Sequence, residues 1–253
     1  MCIHALSRSQ SLPTPEWPEP LAQSLEIDVS NADAHKVLGR DLMIIGRFDA
    51  ARLEFEQGAR LNPKSAEMPY NLGKLLSIQD NWADARRQFE IALRLDPAYM
   101  EAHDGLGFAL EALGDDAGAT ASYRRAIEMN ESRHAGFVSP YVNMSALSNR
   151  TGDRQAALEY ARQAIQINPN SDRALFQMAK AQEYKGDLNG AADTLNRAIA
   201  VNSHSSSYFY VLSTVYRKLG KAEESRKAME EFSRLDRESN EMEDRRRELL
   251  RDR

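Results

Sequence analysis

A short phrase recurs along this chain and limits what it can fold into. ARLNPKS, ALRLDPAY, AIEMNESR, AIQINPNS and AIAVNSHS each close an apolar-patterned stretch with Asn or Asp and a small polar segment. Three of these Asx residues precede proline, and the prolines keep register. Pro97 lies 34 residues after Pro63, and Pro169 lies 72 after Pro97, which is two periods of 34 plus four. A fixed period of that length marks a repeat architecture, in which one supersecondary unit stacks on copies of itself. Numbering slots from Ala32 gives six units: 32-65, 66-99, 100-133, 138-171, 172-205 and 206-239. Four extra residues, His134 to Phe137, separate the third unit from the fourth.

The slots have a common chemistry. Slot 8 is small throughout (Gly39, Gly73, Gly107, Ser145, Ala179, Ser213), and so is slot 20 (Ala51, Ala85, Ala119, Ala157, Ala191, Ser225). Small residues at both places let two helices approach closely. Apolar residues in slots 4, 7, 11 and 24 recur at helical spacing around that contact. Slot 15 is glycine in five units and Asp80 in the second, which suits a left-handed residue ending the first helix. The Asn or Asp of slot 31 is expected to take the same conformation, and a following proline cannot continue the second helix. Each unit therefore reads as a helix-turn-helix hairpin.

The pattern resembles the tetratricopeptide repeat (TPR), whose signature runs W-x2-L-G-x2-Y, then A-x3-F, then P. NLGKLL…ADARRQFEIALRLDP (Asn71 to Pro97) matches best, followed by GLGFAL…GATASYRRAIEMN (Gly105 to Asn130). The resemblance covers Ala32 to Ser239 and implies an all-α fold. The expected architecture is a right-handed α-α superhelix of six hairpins with a C-terminal capping helix. Slot 4 lacks Trp, and the fourth unit has Ser145, Ser148 and Ala161 where Gly, Tyr and Phe are usual. Looser or rotated stacking is expected there.

The ends read differently from the repeats. SLEIDVSN (24-31) occupies the last slots of an earlier, incomplete unit, and Pro13, Pro15, Pro18 and Pro20 forbid a continuous helix upstream. Residues 1-20 are expected to be a disordered tail, and 21-31 a partial repeat capping the first unit. The other reading of SLEIDVSN is a gene start placed too far downstream. At the far end, residues 240-253 extend the last helix as a charged segment. Leu235, Met242 and Leu249 sit seven apart in it, but a solvated helix fits its composition better than a coiled-coil seam.

Little in the chain suggests catalysis. His35 and His103 fall in packing slot 4, and the other three histidines lie in the tail or at unit junctions. No Cys/His cluster has metal-ligand spacing. No glycine-rich loop follows a strand, because no strand is expected. Asp115 and Asp116 sit in a turn and read as solvated or capping. The repeats occupy nearly the whole chain, so no enzyme domain, catalytic residue, metal or cofactor is expected. A net charge of -5 argues against a general nucleic-acid binder. No apolar run is long enough to span a membrane. Cys2 is the only cysteine, so no internal disulfide can form.

What the resemblance implies is a protein or peptide partner held along the first helices of the units. Carried over slot by slot, the groove holds Lys36, Arg40, Tyr70, Asn71 and Lys74, then Glu101, Asp104, Phe108 and Glu111. Further along come Val142, Asn149, Arg150, Arg173, Phe176, Lys180, Tyr184, Tyr210, Arg217 and Lys218. The charge order is basic, acidic, basic, with aromatics throughout. The chaperone-tail clamp known in this family would need Lys and Arg where Glu101 and Gly105 stand, and Asn where Arg40 stands; only Lys36 and Asn71 match.

The expected function is a non-enzymatic scaffold binding an extended or helical segment. Two other readings stand beside it: a bacterial envelope assembly factor of the pilus or secretin type, and a regulatory fragment of a larger enzyme. As written the chain reads as cytoplasmic; a true start further upstream would make it periplasmic. Its oligomeric state is open, a monomer included.

Overall fold

The computed structural model describes residues 31–133 and 135–251. Twelve helices and no strands occur among them. They form six hairpins: α1 (Ala32–Ile44) with α2 (Phe48–Leu61), α3 (Glu67–Ile78) with α4 (Trp82–Leu95), and α5 (Met100–Ala112) with α6 (Asp116–Arg133). The second half pairs α7 (Ser139–Thr151) with α8 (Arg154–Ile167), α9 (Asp172–Lys185) with α10 (Leu188–Val201), and α11 (Ser206–Lys218) with α12 (Ala222–Arg251). The tail and partial repeat assigned to residues 1-30 lie outside the described residues. Asn31 is described; its side chain caps α1 by accepting the Asp33 N–H at 2.9 Å.

The second helices bury one stripe at i, i+4, i+7. It is Ala51, Phe55 and Gly58 in α2, Ala85, Phe89 and Ala92 in α4, and Ala191, Leu195 and Ala198 in α10. This stripe meets the small residue of slot 8. A Cβ on Gly39 would stand 2.5 Å from the Phe55 ring, and one on Gly73 2.7 Å from Phe89. Phe89 also lies under Gly105 of the next hairpin, so one ring joins two units. Full burial of such a side chain is worth roughly 1.5–3 kcal/mol. Where serine replaces the small apolar residues, the backbones stay close and the hydroxyl finds a carbonyl. Ser145 donates to Ala157 O at 2.7 Å, and Ser225 donates to Ser213 O at 2.8 Å.

Slot 15 is left-handed in every hairpin: Gly46, Gly114, Gly152, Gly186 and Gly220 have φ between 74° and 87°, and Asp80 has φ 55°. In three hairpins an Asp follows and caps the next helix. Asp115, Asp153 and Asp187 accept the N–H of Gly118, Ala156 and Gly190 at 2.9–3.0 Å.

Slot 31 departs from the expectation. Asn62, Asp96, Asn168 and Asn202 have φ from -131° to -136° and extended ψ, not the left-handed conformation. Proline restricts the preceding residue to extended backbone at Asn62, Asp96 and Asn168, while Asn202, followed by Ser203, takes the same conformation without one. The Asx side chain then makes a turn: Asp96, Asn168 and Asn202 accept the N–H two residues on, at 2.9–3.2 Å. Asn130 has no proline after it, and α6 runs through it to Arg133. Its buried side chain donates to the Tyr141 hydroxyl at 3.2 Å and accepts the Phe137 N–H at 2.7 Å, tying down the four-residue insertion. The hairpin that follows is well filled: α7 buries nine of its 13 residues.

Helix α12 runs unbroken from Ala222 to Arg251. Ala228 and Leu235 are buried, whereas Met242 is 64% exposed. Its solvent side carries i,i+3 and i,i+4 ion pairs around Arg226, Arg234 and Arg245. Leu249 lies outside the side chains described.

Candidate functional site

Each first helix touches the first helix of the next hairpin, from α1 with α3 to α9 with α11. Among the described residues no two second helices touch. The stack is therefore tighter along the first helices, and their free faces line its concave side.

A cavity of about 360 Å³ opens on that side. Tyr70 and Lys74 come from α3, Glu101, Asp104, Gly105 and Phe108 from α5, Asn143 from α7 and Arg173 from α9. Four hairpins thus meet at one place. Asp104 is buried there, accepting from Asn143 Nδ2 at 2.9 Å, while Arg173 donates to Asn143 Oδ1 at 3.2 Å. Burial pushes the Asp104 carboxyl up to about 6, against the hydrogen bonds from Asn143 and Ser139 and the Arg173 charge. Tyr70 packs on Tyr99 (centroids 4.8 Å) and Phe89 (6.0 Å), and burial pushes its phenol up to about 12. Phe108 is 45% exposed, with Trp82 edge-on behind it at 5.5 Å.

A smaller hollow of about 200 Å³ adjoins it, lined by Lys36, Arg40, Glu67, Tyr70, Asn71, Lys74, Tyr99 and Glu101. Lys36 is held there between Asp33 (2.8 Å) and Glu67 (2.5 Å). Lys74 Nζ stands 5.6 Å from the Tyr70 ring centroid. Desolvation first and the Arg40 charge second lower its pKa.

The remaining expected groove residues divide. Glu111 is half-buried and accepts the Tyr123 hydroxyl at 2.9 Å. Arg150 bridges Asp116 (2.6 Å) and Glu111 (3.4 Å). Lys218 pairs with Glu183 at 2.9 Å. Phe176 stacks on Tyr208 with Lys180 over its ring, Tyr210 packs on Phe232, and Arg154 lies over Tyr184. Arg217 is exposed.

Two residues, Val142 and Asn149, are turned inward. Val142 is a core residue of α7, which is enclosed on several sides. Asn149 is buried and donates to Gln177 O at 3.0 Å, joining the fourth and fifth hairpins. Asn71, by contrast, reaches the smaller hollow although it is largely buried, with its amide donating to Glu67 O at 2.7 Å.

The slot rule passed over several side chains that line the cavities. Asn143 sits in slot 6, Phe137 in the insertion outside the register, and Tyr99 in the last slot of the preceding unit. The sequence did carry signals for two of them: Asn143 fills the same slot as Asn71, and Tyr99 stands two residues before Glu101.

The described histidines are not gathered into a catalytic group. His35 is buried with Nδ1 2.6 Å from Glu54, and His103 is half-buried against Pro97 O at 3.0 Å. Asp115 caps α6 and Asp116 pairs with Arg150. Among the described residues no His, Cys, Asp or Glu cluster is placed to hold a metal ion. No described helix is long and apolar enough to cross a membrane.

Stacked hairpins with an open concave face built from many units define a protein–protein interaction scaffold. Family models described as tetratricopeptide repeat match residues 70–133, 150–215 and 206–239, and the chain belongs to that family. A stretch of 92 residues is 30% identical to the Photosystem I assembly protein Ycf3 of Acaryochloris marina (strain MBIC 11017), covering 36% of this chain and 54% of that protein. This chain thus matches about half the length of that relative. Two solved structures share the fold at a TM-score of 0.71. One is the APC/C hetero-tetramer Cut9-Hcn1 (20% identity, 86% of this chain, 43% of that chain). The other is PilW, a type IV pilus biogenesis factor (16% identity, 78% and 90%).

Proposed function

We propose that this protein is a non-enzymatic scaffold that holds an extended or helical segment of a partner protein in its concave groove. One observation carries the reading. Side chains from the first helices of four successive hairpins converge on a single open cavity with an exposed aromatic, Phe108, at its wall. A surface of that kind is suited to anchoring a chain laid across the hairpins. The groove's ionic groups are arranged in blocks: Arg40 and Lys74, then Glu101 and Asp104, then Arg173 and Lys180. A partner segment of complementary charge order is favoured in encounter and specificity. Nucleic acid is a poor fit to an acidic middle.

The test is affinity capture with mass spectrometry, run beside a Phe108→Ala, Phe176→Ala double variant. Partners retained by the parent and lost by the variant support the groove. Equal capture by both would move the binding surface to the convex face or to α12.

A second reading, an assembly factor for a multi-protein machine, draws on the names of similar proteins. One assembles photosystem I and another serves type IV pilus biogenesis. In the pilus version the chain works in the periplasm. Fractionation of a tagged chromosomal copy separates this from a cytoplasmic scaffold.

A further inference from the structure

The cavity is lined by two carboxylates that have no ion pair among the described residues. Neither Glu101 nor Asp104 has a Lys, Arg or His nitrogen of the described residues within 4.0 Å. Asp104 is held by neutral Asn143, and the nearby Arg173 guanidinium bonds that same amide rather than the carboxylate. Glu101 is half-buried and lines both hollows. Around Asp104 stand Glu101 on its own helix, Tyr70 from α3, Tyr123 from α6 and Arg173 from α9, with Lys74 of α3 also lining the cavity. A carboxylate desolvated this way destabilises the free protein when ionised. Such a cost at the wall of an open cavity points to a ligand that relieves it.

We infer that this cavity is the subsite for one lysine or arginine side chain of the bound segment, with its stem between Tyr70 and Phe108 and its head against Glu101 and Asp104. This rests on the groove reading above. Four features support it. At about 360 Å³ the space suits one long side chain. The aromatic walls match an alkyl stem that ends in a cation. An apolar occupant would bury Glu101 and Asp104 further without a partner, and an acidic one would add a third negative charge. Arg40 and Lys74 at one end and Arg173 at the other repel a second cation. The preferred segment therefore has a single basic residue with acidic or neutral neighbours.

The test is a nuclear magnetic resonance titration of the full chain, following the Gly105 amide and the Phe108 ring. The probes are the N-acetyl methylamides of arginine, lysine, norleucine and glutamate. Saturable shifts are expected for arginine and lysine, with norleucine and glutamate weaker by about tenfold or more. Glu101→Gln should weaken the arginine probe by about tenfold while the circular dichroism spectrum stays unchanged. Norleucine or glutamate binding as well as arginine would overturn the subsite. So would an unaltered arginine affinity in Glu101→Gln, or no saturable shift with any probe at millimolar concentration. The two claims fail separately. A captured partner that needs Phe108 and Phe176 but ignores Glu101→Gln removes the subsite and leaves the scaffold; one that ignores all three removes both.

Discussion

Asp80 and Asp104 are two aspartates in environments that disfavour them, for different reasons. Asp80 occupies the left-handed position that glycine fills in the other five hairpins. Its Cβ makes that conformation costly, and no bond to its side chain offsets the cost. Asp80→Gly should stabilise the protein by about 0.5–1 kcal/mol and raise Tm by a few degrees; a lower Tm would mean that the aspartate has a role the backbone does not reveal. Asp104 is strained electrostatically. Its folded pKa is raised to about 6, above its usual value near 4. The folded state therefore binds more protons than the unfolded state between those values. Stability falls as pH rises through that window and stays reduced above it. Asp104→Asn should be more stable than the parent by about 2 kcal/mol at pH 7, with the gap closing towards pH 4. A gap of constant size across Tm measurements in that range would remove the titration of Asp104 as its cause.

At the scale of helices, the close contact between the two members of a hairpin dominates. Ala85 is fully buried where α4 meets α3, and Phe89 one turn on fills the space over Gly73. Leucine at position 85 cannot fit without moving a helix. Ala85→Leu should destabilise by about 1–3 kcal/mol or more, and thermal unfolding that stays at the parent value would overturn the slot register. The far part of α12 is the opposite case. Past Leu235 the described side chains are exposed, and its ion pairs are of the surface kind, worth little each. Removing residues 240-253 should change stability by less than about 0.5 kcal/mol. A large drop in Tm would show that this end packs on something.

At the scale of the whole molecule, groove charge and groove aromatics should act on different rates. Charge reversal at Glu101 should slow association with a captured partner and flatten its salt dependence, because charges facing the groove steer encounter. Phe176→Ala should chiefly speed dissociation, since it removes buried contact area beside Tyr208. Surface plasmon resonance at two salt concentrations reads both; identical rate constants in parent and variants would place the partner elsewhere on the stack.

The sequence alone determined the hairpin, because each hairpin is local. Small residues in slots 8 and 20, large ones in slot 24 and a left-handed residue in slot 15 act within about 30 positions of each other. Their periodicity is legible without knowing what the hairpin packs against. One local feature differs from the expectation, the slot 31 backbone, where the Asx side chain accepts the N–H two residues on and the residue is not left-handed, with or without a following proline. The site needed tertiary structure, because it is assembled between hairpins. Slot numbering put Val142 and Asn149 in the groove, but α7 is enclosed and the Asn149 amide bonds inward. Asn143 of α7 and Phe137 of the insertion ahead of it line the cavity together with side chains of three other hairpins. The Asp104 carboxyl is likewise raised by burial, and the Asn143 bond and Arg173 charge that oppose the rise come from 39 and 69 residues further along the chain. Desolvation of that kind arises only when units from distant parts of the chain close around one group.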